Sequence, residues 1–327
     1  MVVRKKAPTS QDVARLAGVS QSTVSYVLTG SRPISEQTRQ RVEEAIVKLG
    51  YHPNSGARTL RSRRSGVIGL MVPEAEAAGD GVLMVFIGAI AREARRHGYD
   101  ILLVTAQEGA EGIRRVVRTG VCEALLLMEL DRYDERVAPV IDSGLPFVTI
   151  GKPEQLLPGS VVDLDFEMLG RMVVEKCIET KCERLVLFGS PGRKRSRSDV
   201  SRFLDGVEEA ADAAALTVVL DASAMADVPG RVLNLTADGE CTALFGITGV
   251  REVLFAMAAT GALADQALQL IALSGEDLAD VNPLLAAVPR IDPRRAEISE
   301  LAVRELVRLL RIDGADPRIT LVEPRWL

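Results

Sequence analysis

The chain has 327 residues, 47% hydrophobic and 26% charged, with 40 Lys/Arg against 45 Asp/Glu and a net charge of −5. Those proportions describe an ordinary soluble globular protein, long enough for two or three units with buried cores. They exclude a membrane-spanning chain, because no run of about 18 apolar residues occurs.

At the N-terminus, Met1 to Lys6 is basic and lacks the apolar stretch of a secretion signal, so the chain is expected to stay in the cytoplasm. Charge is unevenly spread. Residues 1–64 hold twelve Lys/Arg against four Asp/Glu, a net of +8, which leaves −13 for the remainder. A basic head on an acidic body suits DNA: the head releases counterions from phosphate while the body is repelled.

Thr9 and Asp12 stand at capping-box spacing. Val13, Leu16 and Ala17 then fall at i, i+3 and i+4, one apolar helical face, and Gly18 stops that helix. Ser20 is placed to cap a second helix running through Leu28. Val24, Val27 and Leu28 form its inner face, while Gln21, Ser22, Ser25, Tyr26 and Thr29 line the opposite stripe. Two short helices around a three-residue, glycine-containing turn make a helix-turn-helix, whose second helix enters the major groove by its N-terminal part. Ser35 starts a third helix with Val42, Ala45, Ile46 and Leu49 inside and Gly50 as its stop. Any small three-helix bundle shares this pattern. The outer stripe of the second helix, uncharged and rich in hydrogen-bonding groups, suits base edges better than bulk water. The candidate DNA-contacting residues here are Thr9, Ser10, Gln21, Ser22, Thr23, Ser25, Tyr26 and Thr29.

The run Asp12-Val13-Ala14-Arg15-Leu16-Ala17-Gly18-Val19-Ser20, then Ser22-Thr23-Val24-Ser25 and Val27-Leu28-Thr29-Gly30, resembles the DNA-binding head of the LacI/GalR repressor family. Ile34-Ser35, Thr38-Arg39, Leu49-Gly50-Tyr51, Pro53-Asn54 and Ala57-Arg58-Thr59-Leu60 continue the resemblance. It implies that Pro53–Leu60 forms a hinge helix on operator DNA, where the two hinge helices of a dimer enter the minor groove. Asn54, Ala57 and Leu60 are then DNA contacts, Leu60 as the apolar wedge in the central base step. One position departs. Tyr26 stands where the family often has an arginine that reads guanine, and tyrosine cannot make that bidentate contact. An altered operator half-site is expected.

Beyond Ser65, short apolar runs alternate with amphipathic helices. Val67–Val72, Ile101–Thr105, Ala124–Met128 and Phe147–Ile150 read as buried parallel strands, with a helix over Leu83–His97 closed by Gly98. A second series begins near Val161–Asp165 and continues through Leu185–Phe188, Val218–Leu220, Ala243–Ile247 and Leu270–Leu273. This alternation argues an α/β, parallel, doubly wound fold. Two such series resemble the family's two-lobed, periplasmic-binding-protein-like body, in which the chain crosses three times between lobes. The domains expected are a head and hinge over 1–64 and an effector-binding, dimerising body over 65–327. One lobe is placed near 66–160 plus 291–318, the other near 161–290 plus the C-terminal end.

The resemblance puts a small-molecule effector in the cleft between lobes, at strand C-termini. Arg202 matches the family's effector-contacting arginine. Asp165-Phe166 stands where an Asp-Asn pair is usual, Thr248-Gly249 where Asn-Asp is usual, and Ser274-Gly275-Glu276-Asp277 where Gly-Phe-Asp-Asp is usual. Losing these planar groups weakens recognition of a neutral sugar. Arg193 and Arg195, in a basic loop after the strand at Leu185–Phe188, suit an anion, although a solvated surface loop has the same composition. The candidate effector contacts are Asp165, Arg202, Thr248, Glu276, Arg193 and Arg195, and the expected effector is acidic or a modified sugar.

Cys122, Cys177, Cys182 and Cys241 fit no common zinc spacing and read as plain thiols used as small apolar residues. Two separate histidines leave no metal cluster or hydrolase triad. No P-loop and no Gly-x-Ser-x-Gly elbow occurs, so no catalytic residue, metal or cofactor is expected. What remains is a repressor that binds a two-fold operator as a homodimer under effector control, or a regulator whose cleft has degenerated and needs no effector.

Overall fold

Apolar side chains at helical spacing close the N-terminal unit, Met1–Ser65, around one small core. The structure, a computed structural model, describes residues 8–29, 32–51, 65–72, 80–155, 157–188, 198–221, 227–237, 240–246, 253, 257–261, 268–274 and 288–327. Among the described residues, the first unit holds three helices: α1 (Ser10–Ala17), α2 (Gln21–Thr29) and α3 (Glu36–Leu49). Their starts and stops follow local chemistry. Thr9 and Asp12 form a reciprocal capping box on α1, and Ser35 caps α3. Gly18 and Gly50 end α1 and α3 in the left-handed conformation.

The core of the unit is Val13, Ala14, Ala17, Val24, Val42, Ala45 and Tyr51, with Val27, Ile46 and Leu49 packed at its margin. Two expected core residues lie outside it. Leu16 is 45% exposed and Leu28 37% exposed, because three short helices enclose only the inner edge of each apolar face.

The second unit, Gly66–Leu327, is built on two six-stranded sheets. In chain order the strands are β1 (Val67–Val72), β2 (Asp100–Thr105), β3 (Ala124–Met128), β4 (Phe147–Ile150), β5 (Ser160–Leu164), β6 (Arg184–Phe188), β7 (Thr217–Asp221), β8 (Thr242–Gly246), β9 (Leu268–Leu273), β10 (Arg290–Asp292), β11 (Ile319–Val322) and β12 (Arg325–Trp326). The first sheet runs β11-β5-β4-β3-β1-β2 with every pair parallel. The second runs β12-β10-β9-β8-β6-β7, parallel except for β12, which lies antiparallel on β10. Strands covered on both faces are continuously apolar; β3 is buried along its whole length. Each fully buried Leu or Met there contributes about 1.5–3 kcal/mol.

The sequence alone assigns Val161–Asp165 to the second series. The structure instead places β5 in the first sheet, paired with β4 and β11, since a buried apolar run looks the same in either sheet. β11 likewise joins the first sheet, while β12 joins the second. Three connections therefore pass between sheets: at Asp165, at Pro293-Arg294 and at Glu323-Pro324. After the first, helix Phe166–Glu179 packs against helix Ser198–Ala214 and β6. After the second, helix Arg295–Arg311 returns to pack on β3, β4, β5 and helix Asp80–Arg96.

Helices Phe166–Glu179 and Ser198–Ala214 meet backbone to backbone. A Cβ on Gly170 would land on the Phe203 carbonyl, and one on Gly206 on the Glu167 carbonyl. Below this crossing, Phe203 stacks on Phe245 of β8, ring centroids 5.2 Å apart.

Candidate DNA-reading and effector-binding sites

The polar stripe of α2 starts from its cap. Ser20 Oγ accepts from the Thr23 amide at 3.1 Å and lies 2.8 Å from both Ser22 Oγ and Thr23 Oγ1. Gln21 and Ser22 are exposed, Thr23, Ser25 and Tyr26 half-buried. Gln21 Nε2 donates to Ser10 Oγ at 2.8 Å, which ties the first turn of α2 to the first turn of α1. Thr9 is occupied in its box, its amide and hydroxyl both donating to Asp12 Oδ2 at 2.9 and 2.7 Å. The stripe is thus held by neutral hydrogen bonds at the surface, each worth only about 0.5–1.5 kcal/mol net. Such groups exchange partners at small cost.

Two arginines complete the head. Arg41 of α3 donates through Nε to the Ala17 carbonyl at 3.1 Å and through Nη2 to the Ala17 and Gly18 carbonyls, so it neutralises the free end of α1 and fixes α3 against the turn. Arg32, which the sequence reading passed over, holds its guanidinium carbon 5.1 Å from the centroid of the Tyr26 ring, within cation–π range. A guanidinium therefore stands at Tyr26 after all, brought from outside the helix. Its only sequence signal is a separation of six residues from Tyr26. Thr29 ends α2, with its side chain outside the described residues; Asn54, Ala57 and Leu60 also lie outside them.

In the second unit, Arg202 lies on helix Ser198–Ala214 and is 8% exposed. Its Nη2 is ion-paired with Asp163 Oδ2, and its guanidinium sits over Phe166, 5.3 Å from the ring centroid. Asp163 belongs to β5 of the first sheet, so the pair joins the two lobes beside the first crossing. The carboxylate also accepts from the Lys152 amide at 2.8 Å and the Leu164 amide at 2.9 Å. Ser198 Oγ donates to the Lys152 carbonyl, a second link between the same segments. Loss of water around Asp163 is the largest influence on it and raises its pKa, while Arg202 and the Lys152 amide pull it back.

Asp165, the expected effector contact, has a local task. Its Oδ1 accepts from the Met168 amide at 2.9 Å and caps helix Phe166–Glu179 where the chain enters the second lobe. The sequence points to Asp165, whereas Asp163, two residues earlier, is the carboxylate that meets Arg202. Among the described residues, Arg202 Nε is buried without a hydrogen-bond partner. Arg193, Arg195, Thr248 and Glu276 lie outside the described residues, so Asp165 and Arg202 are the two expected effector contacts that can be located. No group of three or more His, Cys, Asp or Glu among the described residues is arranged to hold a metal ion. No helix among them is long and apolar enough to cross a membrane.

Comparison with known proteins follows the same division. Residues 9–54 match the family model described as bacterial regulatory proteins, lacI family. Over 340 aligned residues the chain is 31% identical to the HTH-type transcriptional regulator CelR of Thermobifida fusca, covering 95% of this chain and 94% of that one. Among solved structures, a lac repressor dimer bound to operator and the anti-inducer ONPF aligns with a TM-score of 0.80 at 20% identity, over 98% of both chains. A transcriptional regulator CelR–cellobiose complex aligns at 0.66 and 23% identity, again over 98% of both. A periplasmic binding protein/LacI transcriptional regulator from Alkaliphilus metalliredigens QYMF, complexed with D-xylulofuranose, aligns at 0.64 over 80% of this chain and 97% of that one.

Proposed function

Since the chain belongs to the LacI family of bacterial regulatory proteins, and is thus a DNA-binding transcriptional regulator and not an enzyme, we propose that it is a cytoplasmic repressor binding a palindromic operator as a homodimer. A small-molecule effector in the cleft between the lobes controls it. The observation that carries the DNA half is the exposed first turn of α2, with Gln21 and Ser22 presented beside Ser10 on a head of net charge +8. Lys and Arg hold phosphates while these neutral groups address base edges. Asn54, Ala57 and Leu60 add minor-groove contacts as a hinge.

Tyr26 and Arg32 act as one unit in this reading, the ring orienting a guanidinium that can fork onto guanine. A selection from randomised duplexes tests it. Arg32→Ala should relax preference at one position of each half-site, and Tyr26→Arg should change the preferred base there. An unchanged motif in both variants would remove these residues from base reading.

Homodimer formation is supported by the outer strands of the two sheets. β2 and β7 are terminal strands and carry Leu103 and Leu220, 50% and 37% exposed. Helix Asp80–Arg96 adds exposed Met84 and Val85, and helix Val228–Ala237 adds Leu233. Open edges and apolar faces invite a second chain, and a two-fold operator needs one. Sedimentation analysis of the full chain should give a dimer; a monomer at operator-binding concentrations would defeat this part.

The effector half rests on Arg202, whose buried Nε has no hydrogen-bond partner among the described residues and suits a carboxylate, phosphate or modified sugar. The same site favours a second reading, because Asp163 and Phe166 already engage the guanidinium and a degenerate cleft would look the same. Thermal melting separates them. Acidic sugars and sugar phosphates should raise Tm with concentration if the cleft binds, and should weaken operator binding if the effector is an inducer. No shift with any member of the panel favours the effector-independent regulator.

A further inference from the structure

Cys182 and Cys241 stand 59 residues apart in sequence, yet their sulfurs lie 2.9 Å from each other. Each precedes a strand of the second sheet, Cys182 before β6 and Cys241 before β8, and these strands are parallel neighbours with Arg184 opposite Thr242. The amides of Glu183 and Arg184 both donate to the Cys241 carbonyl, at 2.9 and 3.3 Å. The two backbones are thus already fixed side by side. Thr180 Oγ1 lies 3.5 Å from Cys182 Sγ, and Cys177 Sγ lies close by, 3.9 and 3.8 Å from the Cys182 and Arg184 carbonyls. Cys182 is buried and Cys241 partly open.

A bonded pair needs an S–S separation of about 2.05 Å, so closing the contact takes roughly 0.9 Å of sulfur movement and a side-chain rotation, with no strand displaced. We infer that Cys182 and Cys241 are an oxidation site that a peroxide converts to a reversible disulfide, joining the entry ends of β6 and β8. The more open Cys241 sulfur attacks the peroxide: an S–O bond forms, the O–O bond breaks, and one water leaves with the thiol proton. Cys182 then attacks the resulting sulfenic sulfur, forming S–S and breaking S–O. The released hydroxyl takes the Cys182 proton and leaves as the second water. Two thiols and one hydrogen peroxide thus give one disulfide and two waters.

The bond would close a loop containing β6, helix Ser198–Ala214, β7 and helix Val228–Ala237. It would leave free the C-terminal ends of the strands, beyond which Arg202 lies. Burial, and then the neighbouring sulfur, pushes Cys241 up to about 12, so this thiol is protonated near neutrality and its oxidation is slow. This makes the pair a stabilising lock under sustained oxidant rather than a rapid sensor.

The test treats the reduced full-length protein with hydrogen peroxide and counts thiols in denaturant. The four thiols of the chain should fall to two, with a Cys182–Cys241 cross-linked peptide that dithiothreitol reverses. The apparent Tm should rise on the order of 10 °C. Cys241→Ser should keep its reduced-state Tm and lose both the cross-link and the peroxide-dependent rise. Four remaining thiols, a link through Cys122 or Cys177, a cross-link between chains, or a Tm rise that persists in Cys241→Ser would each overturn the assignment.

Discussion

The head and the body solve opposite problems with their polar groups. In the head, Gln21, Ser10, Ser20 and Ser22 hydrogen-bond one another at the surface without a charge among them. In the body, carboxylates are buried: Asp163 against Arg202 between lobes, and Glu93 against Arg304 of another helix and Arg96 of its own. A surface network is weak and exchanges its partners at little cost. A buried ion pair is expensive to break because its survivor is left uncompensated. The head's surface network is therefore the easier of the two to rearrange, and the body's buried pair holds until something replaces it.

Breaking the body's side of the comparison should have the largest effect. Asp163→Ala leaves Arg202 buried and unpaired and should destabilise the body by about 3–5 kcal/mol, read from the fluorescence of Trp326, the chain's single tryptophan. A loss below about 1 kcal/mol would mean the pair is dispensable. Gly206→Ala should follow, at about 3 kcal/mol, because its Cβ meets the Glu167 carbonyl; a tolerated alanine would show the helix crossing to be looser than described.

Acid sharpens the contrast. Hydrogen bonding from Arg304, opposed by burial and aided by Arg96, holds Glu93 down at about 2, below its ordinary 4.5. A lowered folded-state pKa gives stability that is present above about 4.5 and lost as pH falls toward 2. The Trp326 transition should weaken across that window, and Glu93→Gln should flatten this dependence while lowering stability near neutrality. In the head, Thr9→Ala should cost only about 1 kcal/mol, the usual value of a lost cap. The smallest change of all is expected from Gln21→Ala, near-neutral in melting yet weakened in operator affinity. Equal losses in both would make Gln21 a structural residue.

What could be read in advance follows the range of the forces involved. Thr9, Asp12, Gly18, Ser20 and Ser35 act within four residues of themselves, and the head's helices follow their spacing. Val67–Val72, Ala124–Met128 and Phe147–Ile150 are strands to the residue, because each is an apolar run bounded by turn formers or charges. Sheet membership is not local, which is why β5 was assigned to the wrong series. β10, β11 and β12 span two to four residues, too few to show a period. The same limit hid the sites. Arg202 finds Asp163 across 39 residues, and Arg32 reaches Tyr26 from beyond the end of α2. Composition exposes neither contact.

The threading of β11 and β12 has a consequence for synthesis. These strands follow all the others in chain order, yet one completes an edge of the first sheet and the other an edge of the second. While a ribosome is still adding residues before 319, β5 and β10 each lack a neighbour, and both lobes leave an unpaired border facing solvent. Neither lobe can mature ahead of the other, although domains commonly fold as they emerge. The nascent body is therefore exposed to chaperones and proteases as a single client until residues 319–326 emerge, and both lobes pass that checkpoint together.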